Sequence, residues 1–300
     1  MGSLVGGSFA TQPVEVILLD VDMQHVQAIR ASGLHITTDR GTRTVKPSAM
    51  RPEELAVAPD LLIVLTKQPQ TVAALASVRP DLLAHSWVLT LQNGLGNVEL
   101  IERFVPVDRL LVGVTTYPAD LLGPGRVASH GEGQVRLMTA DGVARPIAGQ
   151  VEALFNSSGL NCRLDTELQA AIWAKVAFNA ALNTICAVTG CRVGQVAETS
   201  EARQLALDVA SEVAGVATQI GIDVPGDVVR DAVAHALDVH RMHKPSMLQD
   251  LLAGRPTEIA AINGAVVAAA ERVGLDVPLT RTLFALVRLS ERRRADELHE

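Results

Sequence analysis

The stretch from Leu168 to Thr189 constrains this chain more than any other: it is almost wholly apolar, interrupted by Lys175, Asn179 and Asn183. On an α-helix the spacing i, i+4, i+8 lets those three drift only about 80° round the axis, so they form one polar stripe. A helix apolar on its other faces is a buried helix. An ammonium and two amides carried into such a place must each meet a polar partner, because burying them unpaired is costly. The fold must therefore wrap a core round this helix and still set something polar opposite the stripe.

The chain can supply that core. Of its 300 residues 48% are hydrophobic and 20% charged, which predicts a globular protein of two domains. A formal net charge of -7 offers no basic field to nucleic acid or to an anionic membrane. Aromatic residues at 3% provide no stacking platform for bases, so a small molecule is the expected partner. Cys162, Cys186 and Cys191 are odd in number and lack CxxC spacing, and read as buried thiols of a reducing compartment. His240 and His243 have no ligating pattern around them, so no metal is expected. The first residues lack the basic start of a secretory signal, and the apolar run 262–270 is too short to span a bilayer. A cytoplasmic protein with no membrane partner is expected.

Residues 1–10 predict a helix rich in small residues. The apolar segments 14–20, 61–66, 88–91 and 110–115 predict strands separated by helices, with two short strands near 35–38 and 43–46. Strands apolar on both faces that alternate with helices indicate a parallel sheet covered on both sides, and such sheets bind ligands where their strands end. Here those ends are Asp20, Thr66-Lys67, Gln92-Asn93 and Thr115-Thr116. Residues 125–138, with a Gly131-Glu132-Gly133 turn, are expected to close the domain as a hairpin. After Leu164 every long segment is helical and rich in alanine, with helices expected near 168–189, 200–221, 226–237, 246–253, 256–273 and 278–293. Pro225, Pro256 and Pro278 fall at expected helix starts. The fold class is thus an α/β Rossmann-type doubly wound parallel sheet over 1–164, its first strand apparently truncated, followed by an all-α domain over 165–300.

The arrangement from Gly2 to Asp20 is the back half of a dinucleotide-binding unit. In the whole unit a strand leads into G-x-G-x-x-G, the pyrophosphate sits on the helix N-terminus, and an acid further on takes the ribose hydroxyls. Gly2 corresponds to the third glycine. The first strand and the two earlier glycines do not precede it, and the expectation is a natural start roughly ten residues upstream, the other reading being a chain that binds no nucleotide. Asp20 would accept from the ribose 2′-hydroxyl and repel a 2′-phosphate, and Val21 stands where an NADP enzyme would want an arginine. These residues favour NAD(H).

With the stripe Lys175, Asn179, Asn183, the turn Gln92-Asn93-Gly94-Leu95-Gly96-Asn97, and the block from Ser246 and Asp250 to Thr257-Glu258-Ile259-Ala260-Ala261-Ile262-Asn263-Gly264, the chain resembles the ketopantoate reductase family over nearly its whole length. The resemblance implies a two-domain oxidoreductase that reduces 2-dehydropantoate to pantoate with NADPH, a step of pantothenate and coenzyme A biosynthesis. It implies Lys175 as general acid, Asn179 and Asn183 as substrate-binding amides, and Ser246 as the hydroxyl for the substrate carboxylate. Glu258 would touch both the lysine network and the cofactor, and Lys67 and Asn93 would lie at the nicotinamide end of the cleft. Ala119 is a weaker match to a backbone contact with the cofactor.

The chemistry agrees with those roles. Hydride addition to a ketone leaves an alkoxide, so an acid must supply a proton at the carbonyl oxygen. Burial lowers a lysine's pKa toward a useful range while a carboxylate such as Glu258 raises it again, and Asn and Ser donors orient a carboxylate substrate without adding titrating groups. Two stretches depart from the family pattern. Where members often read Gly-Cys-x-Asn-Gly, this chain has Gly190-Cys191-Arg192-Val193-Gly194, and His243-Lys244-Pro245 precedes Ser246. Both lie on the substrate side, so a related dehydrogenase of another 2-keto or 3-hydroxy acid is one rival. A non-catalytic homologue without a working nucleotide loop is the other, and titration with NADPH, read by fluorescence, separates it from an enzyme. The alanine-rich helices of the second half are suited to packing in a homodimer.

Overall fold

The computed structural model describes residues 1–297, which fall into two compact units: Met1–Gln92 with Asn97–Leu168, and Asn93–Gly96 with the chain from Gln169 onward. In the first unit the elements run α1 (Gly2–Phe9), β1 (Ile17–Leu19), α2 (Met23–Ser32), β2 (Leu34–Thr38), β3 (Gly41–Val45), β4 (Ser48–Met50), β5 (Leu61–Val64), α3 (Thr71–Ala76), α4 (Pro80–Leu83), β6 (Trp87–Thr90), α5 (Asn97–Ile101), β7 (Leu110–Thr115), β8 (Asp120–Gly123), β9 (Arg126–Ser129), β10 (Val135–Thr139), α6 (Pro146–Ser157) and β11 (Cys162–Leu164). Its main sheet has the order β11-β10-β7-β6-β5. Neighbours β5, β6 and β7 are parallel, and β10 runs antiparallel to β7.

Alternation along the strands explains why this sheet is covered on both faces. Leu89, Leu111 and Leu137 pack with Val151 and Phe155 of α6, whose ring meets Phe9 of α1 edge-on at 4.9 Å. Their neighbours in sequence, Val88 and Leu110, pack on the other side with Leu75, Leu82 and Ile101 from α3, α4 and α5. This is the Rossmann-type, doubly wound arrangement expected of apolar strands that alternate with helices. β1 pairs in parallel with β4 in a separate two-stranded ladder, and β2 belongs to a four-stranded sheet of order β3-β2-β9-β8. Among the described residues no ladder joins β1 to β5.

The hairpin expected over 125–138 is not formed. β9 pairs with β8 antiparallel and with β2 in parallel, while β10 pairs with β7 and β11 of the main sheet. The glycine turn carries the chain from one sheet to the other. Gly131 has φ +86° and donates its N–H to Asp39 at 2.6 Å, and Gly133 lies flat against the Tyr117 ring with no room for a Cβ. A turn chosen for close approach and a left-handed backbone reads in sequence like a hairpin turn.

The second unit is helical: α7 (Leu168–Thr189), α8 (Val193–Glu198), α9 (Ser200–Gln219), α10 (Gly226–Val239), α11 (Ser246–Leu252), α12 (Ala265–Arg272) and α13 (Pro278–Glu297), with a π-helical turn over Ala260–Gly264 leading into α12. Val176, Ala177, Ala180, Ala181 and Ile185 of α7 enter one core with Val209, Val213 and Ala217 of α9 and Val233 and Leu237 of α10. Among the described residues α7 is the only helix long and apolar enough to cross a membrane, and it is mostly buried inside the protein. Pro225 and Pro278 open α10 and α13, but Pro256 opens no helix. The segment expected to be helical from 256 begins its regular turns only at Ala260, because Thr257 is pulled aside: its N–H and hydroxyl donate to Glu291 of α13 at 2.8 and 2.7 Å.

Candidate active site

In the second unit three pieces of chain, far apart in sequence, meet. Helix α7 contributes the stripe. Asn179 and Asn183 are 8% and 7% exposed, and Lys175 is half-buried beside them. Burial pushes the Lys175 ammonium down to about 8, while the Glu258 carboxylate opposes that and raises it. Glu258 therefore stands close enough to act on Lys175 as a charge. The third piece is the loop Asn93–Gly96, from which the Asn93 side-chain amide donates to Glu258 Oε2 at 3.0 Å. An ammonium, a carboxylate and an amide thus form one polar group against an otherwise apolar helical core. No hydrogen bond joins the Asn179 or Asn183 side chain to another described residue.

Other residues hold this group in place. Thr257, beside Glu258, is 3% exposed and fixed by Glu291, and its hydroxyl accepts the Ile259 N–H at 3.2 Å. Sequence reasoning missed Glu291, because an acid on an otherwise charged helix carries no mark of what it faces. Ser246 is the first residue of α11, exposed, with Pro245 as the capping position. Val193, where the family often has an amide, is 1% exposed and belongs to the apolar core, and its N–H donates to the His243 carbonyl at 3.2 Å.

The first unit holds the remaining predicted residues. Asp20 follows β1 and accepts the Asp22 N–H at 2.9 Å, while Asp22 caps α2 by accepting from Gln24 and His25. Two carboxylates therefore end this strand, with exposed Val21 between them. Lys67 follows β5, its carbonyl accepting the Gln70 N–H at 2.9 Å. Gln92 joins two strand ends, donating to the Thr66 carbonyl at 2.7 Å and to the Thr71 hydroxyl at 2.8 Å. Ala119 packs on the small core under α2 and β9.

The residues of α1 and β1 fit a dinucleotide. Gly6 and Gly7 let α1 lie on the strands: a Cβ on Gly6 would sit 2.5 Å from Leu18 Cδ2, and one on Gly7 2.5 Å from Ile36 Cδ1. Gly2, in the first turn, has no other atom within 4 Å of where its Cβ would be and faces open space. The first-turn N–H groups have no partner inside the helix, the arrangement that favours a phosphate, and Asp20 presents a carboxylate after β1. Among the described residues no group of His, Cys, Asp and Glu is arranged to hold a metal ion.

Comparison with known proteins agrees with this geometry. Residues 1–142 match the family described as Ketopantoate reductase PanE/ApbA, and residues 167–291 match Ketopantoate reductase PanE/ApbA C terminal. The chain is 32% identical over 292 residues to the 2-dehydropantoate 2-reductase of Streptococcus pyogenes serotype M1, covering 97% of this chain and 95% of that one. Among solved structures, D-mandelate dehydrogenase with NADH and anilino(oxo)acetate superposes with a TM-score of 0.93 at 29% identity, covering 98% of this chain and 96% of that one. The PanE/ApbA family ketopantoate reductase from Ralstonia eutropha JMP134 superposes with a TM-score of 0.89 at 30% identity, covering 97% and 95%.

Proposed function

The chain belongs to the ketopantoate reductase family, and from that membership we propose that it reduces the keto group of a 2-keto acid to an alcohol with a nicotinamide dinucleotide, 2-dehydropantoate being the first candidate substrate. In this reading the first unit carries the dinucleotide and the second the keto acid. The observation that carries it is the group Lys175, Glu258 and Asn93, set beside two buried amides on the same helix. A bound dihydronicotinamide supplies the hydride to the carbonyl carbon. Lys175 holds a proton at the carbonyl oxygen, which becomes the hydroxyl when the carbon takes the hydride. Glu258 keeps Lys175 charged against its burial, and Asn93 fixes the Glu258 carboxylate. Asn179 and Asn183 donate to the carbonyl and carboxylate oxygens of the substrate, and the exposed Ser246 hydroxyl joins them at the carboxylate.

Two observations refine this reading. Asp20 and Asp22 at the end of β1 support NADH over NADPH, since a 2′-phosphate would bring like charges together. The likeness to D-mandelate dehydrogenase supports a 2-keto acid that bears an apolar or aryl group on its keto carbon. We place the enzyme in the cytoplasm, where the free thiols Cys162, Cys186 and Cys191 stay reduced. A panel of 2-keto acids, including 2-dehydropantoate and aryl 2-keto acids, assayed with NADH and with NADPH, tests the reading. Turnover of at least one member is expected, and no turnover of any member with either dinucleotide would refute it.

A further inference from the structure

Between Glu258 and α12 the backbone widens into the π-helical turn Ala260–Gly264, closed by the Gly264 N–H donating to the Ile259 carbonyl at 3.0 Å. The apolar spacing of these residues would continue an ordinary α-helix equally well. A π turn holds one residue more than an α turn and is found mostly as single-turn bulges inside α-helices, frequently at functional sites. This one makes two attachments. The Ala261 carbonyl accepts the Leu95 N–H at 2.9 Å, and Gly94 lies so close that a Cβ there would sit 2.5 Å from the same oxygen. Gly94 has φ +84°, so both space and backbone call for glycine. On the other side Asn263, fully buried, donates its amide to the Ala180 carbonyl of α7 at 3.3 Å, one residue beyond Asn179. Asn263 Oδ1 is buried with no partner among the described residues.

We propose that the π-turn Ala260–Gly264 is the positioning element of the site: it docks the Gly94–Leu95 backbone on one side and α7 on the other, and so holds Glu258 on Asn93 and beside Lys175. The proposal rests on the reading that Glu258 serves Lys175. Removing the extra residue would return the turn to α-helical register and swing the preceding chain by about 100° and about 1.5 Å, taking Glu258 off Asn93.

The test compares the parent enzyme with an Ala260 deletion, Gly94→Ala and Glu258→Gln, reading melting temperature, kcat, KM and the pH profile of keto acid reduction. The deletion is expected to fold but to melt below the parent, because the shift takes Ile259 out of its core position and Thr257 off Glu291. Its kcat is expected to fall roughly 100-fold, the scale of a misplaced group about 1 Å from its productive position. Its falling pH limb should move below about 8 in parallel with that of Glu258→Gln. A folded deletion variant with kcat within about threefold of the parent and an unmoved limb, while Glu258→Gln does move it, overturns the role of the turn and leaves the reading of Glu258 standing. An unmoved limb in Glu258→Gln overturns that reading, and the proposal falls with it. If circular dichroism shows the deletion unfolded, Gly94→Ala decides by the same criteria from the loop side.

Discussion

Lys175 is held between two opposing influences, and their balance fixes the pH range in which it works. Burial favours the neutral amine, Glu258 favours the ammonium, and the outcome lies at about 8. Keto acid reduction needs the ammonium, so kcat/KM should be level below that value and fall as pH rises through it. Oxidation of the corresponding alcohol needs the amine and should rise over the same range. Glu258→Gln removes the influence that raises Lys175, so its falling limb should lie at lower pH; a limb unchanged or moved upward in a pH–rate series would contradict the assignment. The stripe could be read in the sequence because Lys175, Asn179 and Asn183 share a helix, where spacing alone sets the face. The resemblance placed Asn93 and Glu258 in one cleft, but their contact could not be read, since 165 positions separate them. Glu291 and Asn263 could not be read at all. Their residue types are at home on solvent faces and in caps, and only the fold shows what each one meets.

Among the elements, those whose signal is periodic were legible and those defined by close approach were not. Helix α7 runs from Leu168 to Thr189, as its continuous apolar run predicts, and the strands before Gln92 and Thr116 end where polar residues begin. The transfer of the chain from β9 to β10 and the π-turn both depend on how near one backbone comes to another, which hydrophobic pattern does not encode. Helix α13 illustrates how a cap can arrive from elsewhere. The Glu212 carboxylate of α9 accepts from the N–H groups of Leu279 and Thr280 at 3.0 and 2.8 Å and from the Thr280 hydroxyl at 2.8 Å. Glu212→Ala should therefore cost about 1–3 kcal/mol by leaving those donors unmet. Thermal denaturation should show the lower melting temperature, with kcat at low temperature unaltered. An unchanged melting point would show that water replaces the carboxylate without loss.

For the whole molecule, family membership establishes the reaction class, and the details of each unit narrow it. Asp20 and Asp22 at the end of β1 predict tighter binding of NADH than of NADPH. Asp20→Ala should narrow that difference, as measured by dinucleotide fluorescence titration; equal affinities in the parent would remove Asp20 from the ribose site. The two-layered sheet and the helical core were both legible as classes of fold, since each follows from what an apolar strand or helix must bury. The acid itself is tested most directly by kcat/KM for reduction of the best 2-keto acid, measured across pH for the parent and for Lys175→Met. The account predicts a parent profile that falls through about 8 and a variant that binds the dinucleotide normally yet has lost activity by about 10²–10⁴-fold, the range of general acid catalysis. Lys175→Met turning over at close to the parent rate would contradict it.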